Sequence, residues 1–173
     1  VIEVVVPVTG ISLNTTSETI TQGATTQLTA SILPATATNQ SVTWSSSDEN
    51  VATVDTAGVV YAVTPGTAII TATTVDGLKT AEATIEVVVP VTGITLNKNS
   101  DRLAVGGTTT LIPTVTPTNA TNKNVTWTSS NQGVAKVDAT GKVTVIGPGT
   151  ATITATTEDG SYTATYSLTS KEK

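Results

Sequence analysis

The sequence repeats itself with a period of 83 residues, and this repeat constrains the fold more than any other feature. Residues 2–14 return at residues 85–97 with a single substitution, and the same offset places Trp44 on Trp127 without a gap. Self-similarity at a fixed period is the signature of repeated structural units. A period of this length is long enough for a small domain with its own core. The sequence therefore predicts two copies of one domain.

The repeat also sets the expected domain boundaries. The first copy is predicted at residues 6–88 and the second at residues 89–173. Residues 1–5 match the last residues of the first copy, residues 84–88. We therefore interpret residues 1–5 as the end of a preceding repeat or a linker, and the chain as part of a longer protein.

Apolar and polar residues alternate along most of each copy. One segment has Ala68, Ile70 and Ala72 at every second position, with Ile69 and two threonines between and after them. A later segment has Ala83 and Ile85 alternating with polar neighbours. A period of two with one apolar face is typical of half-buried strands. No segment keeps a helical period. The predicted fold class is all-β, with each copy a Greek-key β-sandwich of about seven to eight strands.

Turn residues separate the predicted strands. Asp55 and Gly58 are typical of a hairpin loop in which glycine takes a positive φ. Asp76 followed by Gly77 is typical of a two-residue hairpin. Pro34 is expected to end a strand, because proline cannot donate a hydrogen bond to a neighbouring strand.

Missing residue types exclude several functions. The chain has no Cys and no His, which removes disulfides, thiolate chemistry, histidine-based triads and zinc sites built from these residues. Its net charge is −5, which argues against a nucleic-acid partner. No apolar run approaches the roughly 20 residues of a membrane-spanning helix. We predict no enzyme activity, no cofactor, no metal site and no membrane insertion.

Two adjacent carboxylate pairs, Asp48–Glu49 and Glu158–Asp159, are candidates for the paired acids of a glycosidase. Neither pair is kept in the other copy of the repeat. Adjacent residues on a strand or turn also point in different directions. We therefore interpret them as solvated turn residues and predict no catalytic residues.

The few aromatic residues are the most conspicuous side chains. Trp44 and Trp127 each alternate with an inward-facing valine, which predicts a structural core role between two sheets. A sugar-stacking role would instead require an outward ring. Tyr61 and Tyr162 align with polar residues of the other copy and are candidate exposed contact residues, whereas Tyr166 aligns with an alanine and is expected to face the core.

The ordered motifs resemble a known family. VPVTGISLN at residues 6–14, VTWSSSD at residues 42–48, VATVD at residues 51–55 and PGTA at residues 65–68 all recur in the second copy in closely similar form. Together they resemble the bacterial immunoglobulin-like domain, group 2, in two tandem copies. The resemblance implies an immunoglobulin-like sandwich found in surface adhesins, as accessory modules of extracellular enzymes, and on phage heads and tails. It implies no shared catalytic residues.

The expected function is that of a non-catalytic surface module. The junction at residues 86–91 has no Gly or Ser and contains Pro90, which predicts a short, stiff connection. We expect a stalk, display or adhesion segment of a larger extracellular protein, at a bacterial cell surface or a phage virion surface. Its partners would be neighbouring domains of the same chain. The alternative is a module that binds surface carbohydrate or a host protein, including a phage decoration that aids attachment to the host.

Overall fold

The computed structural model describes residues 4–172. Its contacts divide the chain between Val88 and Val89 into two compact units, which we call unit 1 and unit 2. Of the residues predicted to end a preceding repeat, residues 1–3 lie outside the described part of the chain. Val4 and Val5 are exposed and lie outside any strand.

Each unit is built from short β-strands. Unit 1 contains β1 (Gly10–Leu13), β2 (Ser17–Thr21), β3 (Thr25–Gln27), β4 (Ala30–Leu33), β5 (Val42–Ser46), β6 (Ala52–Val54), β7 (Val59–Ala62), β8 (Gly66–Thr74) and β9 (Thr80–Val88). Unit 2 contains β10 (Gly93–Leu96), β11 (Ser100–Ala104), β12 (Thr108–Thr110), β13 (Pro113–Thr116), β14 (Val125–Ser129), β15 (Ala135–Val137), β16 (Lys142–Val145), β17 (Gly149–Thr157) and β18 (Thr163–Lys171). The described residues include no helix long and apolar enough to cross a bilayer.

The two units share one topology. In unit 1 a four-stranded sheet has the order β2-β9-β8-β5, a three-stranded sheet has the order β3-β7-β6, and β1 pairs with β4. Unit 2 repeats this arrangement as β11-β18-β17-β14, β12-β16-β15 and β10 with β13. All pairs are antiparallel except β2 with β9 and β11 with β18, which are parallel. The predicted all-β fold class is confirmed.

Within residues 4–172, each unit has nine strands, whereas the sequence predicts about seven to eight. The difference arises because one long segment changes partners midway. Leu28 donates its N–H to Gly58 O at 3.0 Å on one side of the break. On the other side, Asn14 Oδ1 accepts the N–H of Thr29 at 2.8 Å and draws the chain towards β1. The alternating pattern continues through this break, so the pattern alone does not reveal it.

The sandwich cores come from both layers of strands. In unit 1 the fully buried Leu28 and Val60 meet Ile70 and Ile85 of the four-stranded sheet. Unit 2 has an equivalent cluster that includes Tyr166, so the expectation that Tyr166 faces the core is confirmed. Because this burial removes aliphatic surface from water, the core provides most of the stability of each unit.

One core position of unit 2 is poorly matched to its surroundings. Ser170 is 5 % exposed, and its Oγ has no hydrogen-bond partner among the described residues. Unit 1 has the buried Val87 at the same position of the repeat.

Since an unpaired buried hydroxyl is unfavourable by about 1–3 kcal/mol, Ser170→Val should raise the free energy of unfolding of unit 2 by about 1–2 kcal/mol. Calorimetry should show a higher melting temperature for unit 2 alone. The reverse change, Val87→Ser, should lower that of unit 1, and a Ser170→Val chain that melts at or below the wild-type temperature would contradict the assignment.

The segment that leads into each sandwich is tied down at two points. In unit 1 this leading segment is residues 6–8. Val6 donates its N–H to Thr38 Oγ1 at 2.8 Å, and Thr38 returns its own N–H to Val6 O at 2.9 Å. Val8 donates its N–H to Asp76 Oδ2 at 2.9 Å.

Unit 2 holds its leading segment, residues 89–91, in the same way. Val89 donates its N–H to Thr121 Oγ1 at 2.8 Å and accepts the N–H of Thr121 at 2.9 Å. Val91 donates its N–H to Asp159 Oδ2 at 2.7 Å. Residues 89–91 are therefore part of unit 2, and β9 of unit 1 extends up to Val88.

The hairpin between β8 and β9 differs from the two-residue Asp76–Gly77 turn that the sequence predicts. The residues with positive φ are Gly77 at 73° and Leu78 at 48°, one position further along. Thr74 Oγ1 accepts the N–H of Lys79 at 2.9 Å and donates to Asp76 O at 2.7 Å. The shift follows from the use of the Asp76 carboxylate, which binds Val8 instead of its own turn.

Candidate functional site

The tryptophans lie on the four-stranded sheet of each unit. Trp44 is on β5, opposite Ala72 of β8, and is half-buried against the unit 1 core. Its ring lies over Gly58, so close that a Cβ added to Gly58 would be 2.8 Å from Cζ2. Trp127 on β14 has the same relation to Gly141, with the same distance of 2.8 Å. Each ring therefore packs against the hairpin that joins two strands of the opposite layer.

Those hairpins are held in shape by an aspartate. Asp55 Oδ1 accepts the N–H groups of Ala57 at 2.8 Å and Val59 at 2.9 Å. Gly58 has a φ of 81° and is buried, so the predicted positive-φ glycine is confirmed. In unit 2 Asp138 Oδ1 accepts the N–H groups of Thr140 and Lys142 in the same way, and it also accepts the Thr140 hydroxyl at 2.6 Å. These hydrogen bonds, first that of the Thr140 hydroxyl, lower the pKa of the Asp138 carboxyl.

Trp127 also borders the surface. It lines an open depression of about 330 Å³ together with Thr128, Ser129, Gln132, Lys136 and Val137. Its lining residues combine a tryptophan with side chains that carry hydroxyl, amide and ammonium groups. Such a mixture can bind a polar organic ligand such as a sugar, through ring contact and hydrogen bonds.

The two tyrosines predicted to be exposed lie at different positions of the two units. Tyr61 is 47 % exposed and lies on β7 between Thr25 of β3 and Thr53 of β6. The three residues are therefore neighbours across the three-stranded sheet. In unit 2 the equivalent position is Thr144, so this aromatic is particular to unit 1.

Tyr162 is 41 % exposed and follows the hairpin after β17. Its N–H donates to Thr157 Oγ1 at 2.9 Å, and its ring lies beside Gly160. Lys79 occupies the same place in unit 1 and makes the same backbone bond to Thr74. The two units therefore do not share an aromatic platform.

The adjacent carboxylates are used to brace loops. Asp48 Oδ1 accepts the backbone N–H of Asn50 at 3.0 Å, and Glu158 Oε2 accepts the side-chain amide of Asn124 at 2.9 Å. Asp159 holds the leading segment of unit 2, as described above. Within residues 4–172, no three acidic side chains come together where they could hold a metal ion.

Unit 2 contains a polar network that the sequence analysis missed. Tyr166 of β18 donates its hydroxyl to Asp101 Oδ2 of β11 at 3.1 Å. Lys98 Nζ donates to the same carboxylate oxygen at 3.2 Å and to Thr109 Oγ1 of β12 at 2.8 Å. Unit 1 has Glu18 in place of Asp101. The only sequence signal is that the two copies differ at Lys98, Asp101 and Tyr166 but agree at Thr109.

This network shifts the ionisation of two of its members. The hydrogen bond from Lys98, followed by that from Tyr166, lowers the pKa of Asp101 below its ordinary value of 3.8 despite partial desolvation. Burial, then the hydrogen bond to Asp101, raises the pKa of the Tyr166 hydroxyl well above its ordinary value of 10.0. The folded state therefore favours ionised Asp101 beside neutral Tyr166.

Acid should weaken unit 2 through Asp101. A carboxyl whose pKa is lower in the folded state stabilises the protein above its unfolded pKa, and this stabilisation is lost as pH falls from about 3.8. We expect the melting temperature of unit 2 to fall over this range, and to fall less steeply in Asp101→Asn. The measurement is a series of melting curves between pH 6 and pH 2, taken about every half pH unit, for the wild type and for Asp101→Asn. Equal slopes for both chains would contradict the role of Asp101.

Alkali should weaken unit 2 through Tyr166. A tyrosine whose pKa is raised in the folded state gives full stabilisation below about pH 10.0, and this stabilisation is lost as pH rises further. The measurement is an alkaline titration of phenolate absorbance in the wild type and in Tyr166→Phe. The difference between the two curves reports Tyr166, and it should show no ionisation step until unit 2 unfolds. A reversible step near pH 10.0 in the folded protein would contradict the buried, hydrogen-bonded hydroxyl.

Comparison with known proteins identifies similar chains. The family model for the bacterial Ig-like domain (group 2) matches residues 7–85 and 90–167. An Ig-like virion protein of Serratia phage KSP90 is 43 % identical over 169 residues, covering 95 % of this chain and 66 % of that protein. An uncharacterized protein of Clostridium acetobutylicum is 39 % identical over 153 residues, covering 88 % of this chain and 16 % of its own length.

Among solved structures, the S-layer protein rSbsC(31-844) aligns with 97 % of this chain and 28 % of its own chain, at 20 % identity and a TM-score of 0.44. The chain thus spans less than two thirds of the length of each of these similar proteins.

Proposed function

This chain belongs to the bacterial Ig-like domain family, group 2, and on that premise we propose that it is a stiff, non-catalytic stalk that displays other domains of a larger protein. The parent protein would be extracellular, at a bacterial cell surface or on a phage virion. Its immediate partners would be neighbouring domains of the same chain. The virion origin of the Serratia phage relative supports the second location.

One observation carries the stalk proposal: no residue of the junction is left over as a tether. Val88 is the last residue of β9, and Val89 already exchanges two hydrogen bonds with Thr121 of unit 2. A flexible connection would need several free residues rich in Gly or Ser. Pro90 further restricts the backbone next to Val89.

Small-angle X-ray scattering of the full chain tests this stiffness. The control variant carries Gly-Gly-Ser inserted between Val88 and Val89, which leaves every hydrogen bond within each unit intact. We expect the wild type to give a single narrow distribution of inter-unit distances and the insertion variant a broad one. Distributions of equal width would overturn the proposed stiff stalk, whatever the stability of the two units.

A second candidate function is carbohydrate binding at the depression beside Trp127. The specific observation that favours it is that Trp127 lines this depression together with the polar residues Thr128, Gln132 and Lys136. Unit 1 has Ser45, Glu49 and Thr53 at the same positions, so this site would belong to unit 2.

A glycan array with the full chain separates the two functions. A display stalk should give no signal above background. A binding module should bind a defined set of glycans and lose this binding in the variant Gln132→Ala/Lys136→Ala, which changes two exposed side chains and leaves Trp127 in place. Glu49→Ala/Thr53→Ala, at the equivalent positions of unit 1, is the matched control and should leave binding unchanged.

A further inference from the structure

In each four-stranded sheet, the strand that comes first along the chain pairs with the strand that comes last, in a geometry that resists stretching. β2 runs parallel to β9, with Ser17 opposite Thr84 at one end and Thr21 opposite Val88 at the other. In unit 2, β11 runs parallel to β18 over five residue pairs, from Ser100 opposite Ser167 to Ala104 opposite Lys171. We call each of these parallel pairs the terminal clamp of its unit.

Tension along the chain loads a terminal clamp in shear. The force passes through the leading segment and β1, reaches β2 at its first residue, Ser17, and leaves β9 at its last residue, Val88. Because the strands are parallel, these two points lie at opposite ends of the pair. All of the hydrogen bonds between the strands must then give way together. In an antiparallel pair the two loaded ends would lie side by side, and the bonds would open one after another.

The terminal clamp of unit 2 has an additional cross-link. The Tyr166 hydroxyl on β18 binds Asp101 on β11, and Lys98 links this carboxylate to Thr109 of β12 in the other layer. The Tyr166 side chain is fully buried, and the Asp101 side chain is 31 % exposed. Hydrogen bonds to a charged group that are partly shielded from water are stronger than exposed neutral ones.

Unit 1 lacks this cross-link. Ala83 occupies the position of Tyr166, and Glu18 accepts the hydroxyl of Thr26 in the opposite layer, at 2.9 and 3.0 Å to its two carboxylate oxygens. The side-chain bond that does join β2 to β9 runs from Thr19 Oγ1 to Glu86 Oε2 at 3.2 Å, and it is exposed. Water competes directly for such a bond, so it adds little resistance.

We propose that the two units bear tension unequally: unit 1 yields first, and the Tyr166–Asp101–Lys98 cross-link makes unit 2 the more resistant element. Under rising tension the chain would then extend in two steps, because unit 1 unfolds first while unit 2 stays folded. The biological use of this order rests on the proposed stalk function. The mechanical order itself is a property of each unit alone.

Single-molecule force spectroscopy of the full chain, pulled through its two ends, tests the proposal. The wild type should show two unfolding events at different forces. Tyr166→Phe removes the hydroxyl and keeps the ring, and it should raise the forced unfolding rate of the stronger event about tenfold, leaving the weaker one unchanged. Asp101→Asn should act on the same event.

The matched control is Ser129→Ala, which removes the bond from Ser129 Oγ to Ala135 O at 2.8 Å in unit 2 but outside the terminal clamp. It should lower the melting temperature of unit 2 without changing the forced unfolding rate. The proposal is overturned when Tyr166→Phe shifts the weaker event or neither event, or when Ser129→Ala shifts the stronger event equally. Scattering measures stiffness without load, so a failure of the stalk proposal would be seen there and not in the force data.

Discussion

Replacing Gly58 with alanine should unfold unit 1 at temperatures where unit 2 remains folded. At a φ of 81° the new methyl group would lie 2.5 Å from Leu28 O and 2.8 Å from the Trp44 ring. Left-handed backbone is unfavourable by about 1–2 kcal/mol for alanine, and overpacking adds about 1–3 kcal/mol. The expected loss of about 2–5 kcal/mol is a large fraction of the stability of a domain of this size.

Calorimetry of the full chain should show the unit 1 transition lowered by more than about 10 °C and the unit 2 transition unchanged. Gly23→Ala is the matched control, because Gly23 has a φ of 83° in the same unit but nothing within 4 Å of an added Cβ. It should show the backbone strain alone. If Gly58→Ala were no more harmful than Gly23→Ala, the packing of the tryptophan on the hairpin would be unimportant.

Trp44→Ala and Trp127→Ala should each destabilise their own unit by about 3–5 kcal/mol. Each ring packs between a core cluster and the hairpin of the opposite layer, at Gly58 or Gly141. Removing the ring exposes the cluster and the hairpin to water. Because the rings are half-buried, we expect values near the lower end of this range.

Each variant should lose or lower one of the two calorimetric transitions and leave the other in place. Trp44→Phe keeps a ring at the contact and should cost less than about 1.5 kcal/mol. A Trp44→Ala chain that melts within a degree or two of the wild type would refute the core role of the tryptophan.

Local patterns were sufficient to predict the strands and several turns. The alternation around Ile70 and Ile85 shows directly which side chains are buried, because one face of each strand packs on the core. The turn at Gly58 follows from short-range chemistry between Asp55 and its own backbone. These features depend on residues that are close in the sequence, so the sequence alone can reveal them.

The features that were missed depend on residues far apart in the sequence. The break after Leu28 is fixed by Asn14, and the shifted hairpin is fixed by the bond from Val8 to Asp76 across the unit. The cross-link from Tyr166 to Asp101 spans 65 positions and exists only because β11 and β18 lie in one particular register. Neither composition nor periodicity contains that register.

The leading segments have a consequence for how such chains change length. Each 83-residue period contains both the segment and the threonine and aspartate that bind it, as Val89 and Val91 show with Thr121 and Asp159. The nearly identical residues 2–14 and 85–97 lie across this boundary. Recombination between them would insert or delete one complete folding unit, with every backbone partner supplied from inside it. A lineage could thus lengthen or shorten the protein in whole steps without first evolving a new connection.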